Sequence, residues 1–138
     1  MLTDADVETL ITVGGYTHPL FTDPAFLAAS PFDRRPVPGE GILLIMGGLA
    51  EQTERFDETT IALVGMDDVR FIGAAFAGDA IHVQIAVVEK QVVSDGRKGM
   101  LTMRWECLDG RDEPLVTATA RMLFRVATKD PGGAAAID

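Results

Sequence analysis

Residues 39–51 read Gly39-Glu40-Gly41-Ile42-Leu43-Leu44-Ile45-Met46-Gly47-Gly48-Leu49-Ala50-Glu51, and this stretch decides the fold. From Ile42 to Ala50 there is no polar side chain, and the apolar residues fall on every side of a helical wheel. A helix that is apolar all round is a buried one. A bilayer span needs about 20 apolar residues, so this segment is too short to be one. Gly47 and Gly48 in mid-helix cost about 1 kcal/mol each in propensity, which makes sense if another backbone lies close against them. Pro36, Pro38 and Gly39 mark the start, and Glu51 to Glu54 return the chain to water. One central helix therefore needs a large apolar cover, and the second half of the chain supplies it.

After Phe56 the hydrophobic period changes from 3.6 to 2. Ile61–Val64 and Val69–Ala74 read as two short strands, and Asp79–Val92 as a long one with Ile81, Val83, Ile85 and Val87 on one face. In Lys98–Leu108, Leu101, Met103, Trp105 and Cys107 alternate with Thr102, Arg104 and Glu106. In Val116–Val126, Ala118, Ala120, Met122 and Phe124 alternate with Thr119, Arg121 and Arg125. Asp95-Gly96 and Asp109-Gly110 carry hairpin-turn chemistry. The last three strands should thus form an antiparallel meander with one apolar face.

Before the central helix, Thr3 reads as the N-cap of a helix reaching about Val13, with Asp4 and Asp6 in its first turn and Gly14-Gly15 at its end. Asp23 is placed to cap a second short helix with Pro24 at its first position. Between them lies Tyr16-Thr17-His18-Pro19-Leu20-Phe21-Thr22-Asp23, a turn dense in polar and aromatic groups.

Composition limits the function classes. With 138 residues the length prior is one domain. The net charge of -9 repels phosphate backbones and anionic lipid, so neither nucleic acid nor membrane is an expected partner. The single Cys107 rules out an intramolecular disulfide, in keeping with a reducing compartment. Asp4, Asp6 and Glu8 stand where a signal peptide has basic and then apolar residues, so a cytoplasmic protein is expected. No His/Cys cluster has metal spacing and no glycine-rich phosphate loop follows a strand, so no cofactor is expected.

A helix covered by one curved antiparallel sheet is the α+β hot-dog arrangement, and here a family resemblance becomes specific. Gly15 to Asp23 resembles the hydratase motif of the MaoC-like dehydratase and (R)-specific enoyl-CoA hydratase family, G-D-x-N-P-x-H-x-D, with Gly15, Pro19 and Asp23 matching. Val37-Pro38-Gly39 followed by Gly48-Leu49, and Val69-Arg70-Phe71 followed by Gly78-Asp79, are similar to further parts of the family pattern. The resemblance implies a single hot-dog domain over residues 1–127, and the Gly/Ala-rich composition of 128–138 reads as a flexible tail.

For function, the resemblance implies hydration of an enoyl thioester, or dehydration of a 3-hydroxyacyl one, on coenzyme A or a carrier protein. In the family the motif's Asp and His hold and deprotonate water, while a backbone N–H at the start of the central helix polarises the thioester carbonyl. Gly39 matches that N–H. The Asp position, however, is Tyr16 and the His position is Phe21, and neither replacement is a base near pH 7. His18 offers a relocated base, with Tyr16 or Asp23 as orienting partner. Its structural reading is a hydrogen bond within the turn, and Asp23 reads equally as a helix cap. Phe21 and Pro38 would line the substrate site, and Arg34 and Arg35 would meet coenzyme A phosphates or stand as an exposed loop pair. Two further functions share the fold: a non-catalytic acyl-thioester binder or partner subunit, and a thioesterase using a helix carboxylate such as Glu40 or Glu51. Exposed sheet edges predict a homodimer with the site at the interface.

Overall fold

In the computed structural model, residues 1–53 and 58–126 are described; the expected tail at 128–138 lies outside them. Four helices precede four strands: α1 (Asp4–Gly14), α2 (Pro19–Thr22), α3 (Pro24–Ala28) and α4 (Gly39–Glu51), then β1 (Thr60–Phe71), β2 (Ile81–Val93), β3 (Lys98–Asp109) and β4 (Pro114–Arg125). The sheet is antiparallel with order β1-β4-β3-β2, and α4 packs on β2, β3 and β4. This is the expected α+β hot-dog arrangement. No described helix is long and apolar enough to cross a membrane.

Local chemistry explains the elements. Thr3 and Asp6 form a reciprocal capping box at α1, and Gly15 ends the helix in the left-handed region at φ 68°. Asp23 Oδ1 accepts from the N–H of Ala25 and caps α3, with Pro24 at its first position. The β2–β3 connection runs through a 3-10 turn at Ser94–Gly96, and Asp109 Oδ1 accepts from the N–H groups of Arg111 and Glu113 to close the β3–β4 turn. Both expected hairpins are present.

β3 and β4 carry the alternation that the sequence announces. Leu101, Met103, Trp105 and Cys107 on β3 and Val116, Ala118, Ala120 and Phe124 on β4 are buried with Ile42 and Met46 of α4. This is the centre of the core. Burying large side chains contributes about 1.5–3 kcal/mol each.

Two expectations need correction. The two short strands after Phe56 are one strand, β1. Its pairing with β4 slips at Thr60/Ala62, Leu63/Gly65 and Asp67/Arg70, and Asp68 sits at φ 49°. Bulges of this kind absorb polar residues that break the alternation, so the ladder continues where the period does not. The second correction concerns α4, which is covered on one side only. Gly41, Ile42, Met46 and Ala50 are buried, Leu43, Ile45 and Leu49 are half-buried, and Leu44 is 67% exposed. Among the described residues, nothing lies within 4 Å of a side chain built at Gly48, and Gly47 meets the Trp105 ring at 4.0 Å. Among the described residues, no backbone outside α4 comes within 4 Å of a side chain built at either glycine.

The loop before α4 is tied to the segment after β1. Pro36 forms a bridge with Phe76, and Val37 N–H donates to Ala75 O at 2.8 Å. These bonds fix where Pro38 and Gly39 begin the helix.

Candidate active site

The first turn of α4 has no side-chain cap, because its N-cap is Pro38, which carries no side-chain acceptor. Pro38 O accepts from the N–H groups of Gly41 and Ile42. The N–H groups of Gly39 and Glu40 are the two that the helix itself leaves over. Phe71, at the end of β1, lies over this turn: a side chain at Gly39 would stand 2.9 Å from its ring. A side chain at Gly39 would push the Phe71 ring aside. Phe71 is 53% exposed; in the sequence it belongs to the Val69-Arg70-Phe71 run and carries no sign that it stands over the start of α4.

The motif turn meets this helix start through one side chain. After the left-handed Gly15, Tyr16 N–H donates to Ile11 O at 3.1 Å, and the phenol swings toward α4. Tyr16 Oη then donates to Glu40 Oε2 at 3.0 Å. Burial first, and the Glu40 carboxylate second, push the Tyr16 phenol above its ordinary pKa. Gly14 makes room for the ring, since a side chain there would stand 2.4 Å from it. Phe21 packs edge-on against Tyr16 with centroids 5.4 Å apart, and is half-buried.

His18 has a local partner. It is the N-cap of α2, and its Nδ1 accepts from Leu20 N–H at 3.0 Å. A neutral imidazole whose Nδ1 lone pair is engaged carries its proton on Nε2 and offers a donor there. The ring sits edge-on to Phe26 at 5.6 Å and to Phe21 at 6.4 Å. Neither Tyr16 nor Asp23 is its hydrogen-bond partner, because Tyr16 bonds to Glu40 and Asp23 caps α3. The relocated pair drawn from the sequence is not assembled.

Arg34 and Arg35 part company. Arg35 Nη1 pairs with Glu8 Oε2 at 2.8 Å and also reaches Phe21 O at 3.4 Å, so it pins the motif turn to α1. Arg34 lies over the Phe76 ring at 4.6 Å, donates to Ala77 O and pairs with Asp79 at 3.7 Å. Both guanidinium groups hold the chain together around the site. His82 pairs with Asp112 on the polar side of the sheet. Cys107 is buried in the core, and burial pushes its thiol up to about 11, which leaves it inert.

Further along α4 an apolar cavity of about 270 Å³ opens between helix and sheet, lined by Gly47, Ala50, Ile85, Trp105 and Met122, with Glu51 at its polar side. Trp105 Nε1, among the described residues, has no acceptor.

The MaoC-like domain family model matches residues 1–105. The chain belongs to this family. A solved structure of a monoamine oxidase regulatory protein from Archaeoglobus is 30% identical, with a TM-score of 0.82 over 91% of this chain and 83% of that one. The (R)-hydratase of A. caviae, involved in PHA biosynthesis, is 23% identical with a TM-score of 0.64, over 89% of this chain and 86% of that one. A Mycobacterium tuberculosis protein described as having a double hotdog fold is 17% identical with a TM-score of 0.75; 98% of this chain covers 41% of it. These two resemblances speak for the fold alone. No curated protein matches.

Proposed function

We propose that this MaoC-like chain acts on acyl thioesters, adding water to an enoyl thioester or removing it from a 3-hydroxyacyl one. The observation that carries this reading is the uncapped first turn of α4, facing a motif turn bonded to it through Tyr16 and Glu40. A thioester oxygen becomes anionic as water adds to the β-carbon, and a helix N-terminus with accessible N–H groups stabilises such an oxygen. The Gly39 N–H takes that role. The acyl tail runs along α4 toward the cavity between helix and sheet at Gly47, Ala50 and Trp105. Pro38 and Phe21 fix the mouth of the site, while Arg34 and Arg35 act by fastening the loops around it.

The functional unit is a homodimer. Leu44 on α4, Ile61, Leu63, Val64, Phe71 and Ile72 on or just after β1, and Val87, Val88 and Val92 on β2 are all exposed. β1 and β2 are the two edges of the sheet. A second copy would cover such a surface and wall the open side of α4.

One observation favours a second reading, a binder without turnover. Phe21 stands where the family's motif has its imidazole, and His18 Nδ1 is spent on the α2 cap. The test is loss of the conjugated enoyl absorbance with crotonyl-CoA and longer enoyl-CoAs, with free coenzyme A followed in parallel. Hydration is expected without thiol release. Tight acyl-CoA binding with no turnover establishes the second reading, and thiol release establishes a thioesterase.

A further inference from the structure

We infer that Glu40 is the proton acceptor of this site and that Tyr16 is its positioning residue, in place of the motif's Asp and His. This rests on the acyl-thioester reading above. Three observations carry it. Tyr16 Oη, at the position of the motif's Asp, binds Glu40 Oε2 at 3.0 Å, which leaves Glu40 Oε1 for a water. Glu40 follows Gly39 directly, so the carboxylate and the N–H that would hold the thioester oxygen belong to the same helical turn. The competing base is occupied, because His18 Nδ1 accepts from Leu20 N–H.

The step balances without any further reactant. Glu40 takes a proton from water as the water oxygen bonds to the β-carbon of the enoyl thioester. The electron pair of the double bond moves to the α-carbon and the carbonyl oxygen, and this enolate rests on the Gly39 N–H. The proton then passes from Glu40 to the α-carbon. One water is added, the product is a 3-hydroxyacyl thioester, and Glu40 is again a carboxylate. Tyr16 does not exchange its proton. Its phenol is held above the ordinary tyrosine range by burial and by Glu40, so it remains a donor that fixes the carboxylate beside Gly39.

The arrangement also accounts for residues that a structural role alone leaves without purpose. The helix dipole already favours an exposed glutamate in the first turn, so the helix does not need the bond to the half-buried Tyr16. Gly14 and Gly15 bring the Tyr16 ring to it, one by leaving space and one by its left-handed turn.

The test uses the full-length chain with crotonyl-CoA and longer trans-2-enoyl-CoAs. Glu40→Gln is expected to lose at least about 100-fold in kcat, the usual contribution of a positioned base, with KM and saturated acyl-CoA binding unchanged. Glu40→Ala should lose as much and regain activity when formate is added, which a merely structural role would not produce. Tyr16→Phe should lower kcat with KM held. Glu40→Gln hydrating at the wild-type rate overturns the assignment and leaves the acyl-thioester reading standing. Wild type that binds saturated acyl-CoA without hydrating enoyl-CoA also overturns it, in favour of a binder. Wild type that neither binds nor hydrates overturns both.

Discussion

The two sides of α4 have nearly the same sequence character and opposite surroundings. Ile42, Met46 and Ala50 lie against the sheet with exposures of 1%, 0% and 4%. Leu44, one position beyond the half-buried Leu43, is 67% exposed, and Gly48 faces open space. Both sides are apolar, yet one chain covers only one of them. The hydropathy of a helix therefore reports how much surface must leave water, and does not say whether the same chain, a second copy or a ligand takes it out.

The largest expected effect sharpens this contrast through stability. Met46→Ala should cost about 2–5 kcal/mol, because it empties a closed core site between α4, β3 and β4. Leu44→Ala should stay within about 0.5 kcal/mol when measured on the dissociated chain. Urea midpoints of the two variants decide it. Equal losses would mean that the open side of α4 is closed within one chain.

Assembly comes next. Leu44→Glu together with Leu63→Glu puts charge on the open helix side and on the β1 edge. Each should weaken self-association by about 2 kcal/mol if it lies near the centre of the interface. Sedimentation at micromolar concentration should show the wild type as a dimer and the double variant as a folded monomer. A wild-type monomer would break the comparison, since the open side would then be a permanent solvent surface.

The same contrast explains what was legible in the sequence. β3 and β4 could be read almost residue by residue, since each has a paired neighbour on both sides and α4 above it, which forces strict alternation. β1 could not, because bulges at Leu63/Gly65 and Asp67/Arg70 let polar residues into an edge strand without ending it. For the site, Gly39 and the caps at Thr3 and Asp23 follow from local chemistry, and the first-turn geometry follows from Pro38. The Tyr16–Glu40 bond spans 24 residues and obeys no periodicity, so only the fold reveals it. His18 was ambiguous for a physical reason: a residue two before an N–H it can cap looks the same in sequence whether its imidazole faces substrate or backbone.

Gly48→Ala gives a smaller and sign-sensitive reading of the open side. With nothing within 4 Å of the new methyl, the helix should gain about 1 kcal/mol from propensity alone. Thermal unfolding at dilute and concentrated protein measures it. A gain when dilute that becomes a loss when concentrated would place a second chain's backbone against this glycine.

The smallest effect lies at the N-terminal end of the same open side, where Tyr16 meets Glu40. The chain has one tyrosine, so ultraviolet titration of phenolate reports on Tyr16 alone. Its midpoint should lie above the ordinary value of about 10, since burial and then the Glu40 carboxylate both favour the neutral phenol. A pKa raised in the folded state adds stability that is fully present below the unfolded-state pKa and is lost as pH rises through the folded one. The tyrosine therefore matters for stability only in the alkaline range. Glu40→Gln removes the second cause and leaves the first, so the midpoint should move down and still remain above that of a free tyrosine. A return to the free value would make the carboxylate the dominant cause and the phenol more open to water than its half-buried position implies. No movement would mean that the Tyr16–Glu40 bond does not hold in solution, and the proton acceptor would then have to be sought elsewhere along the motif turn.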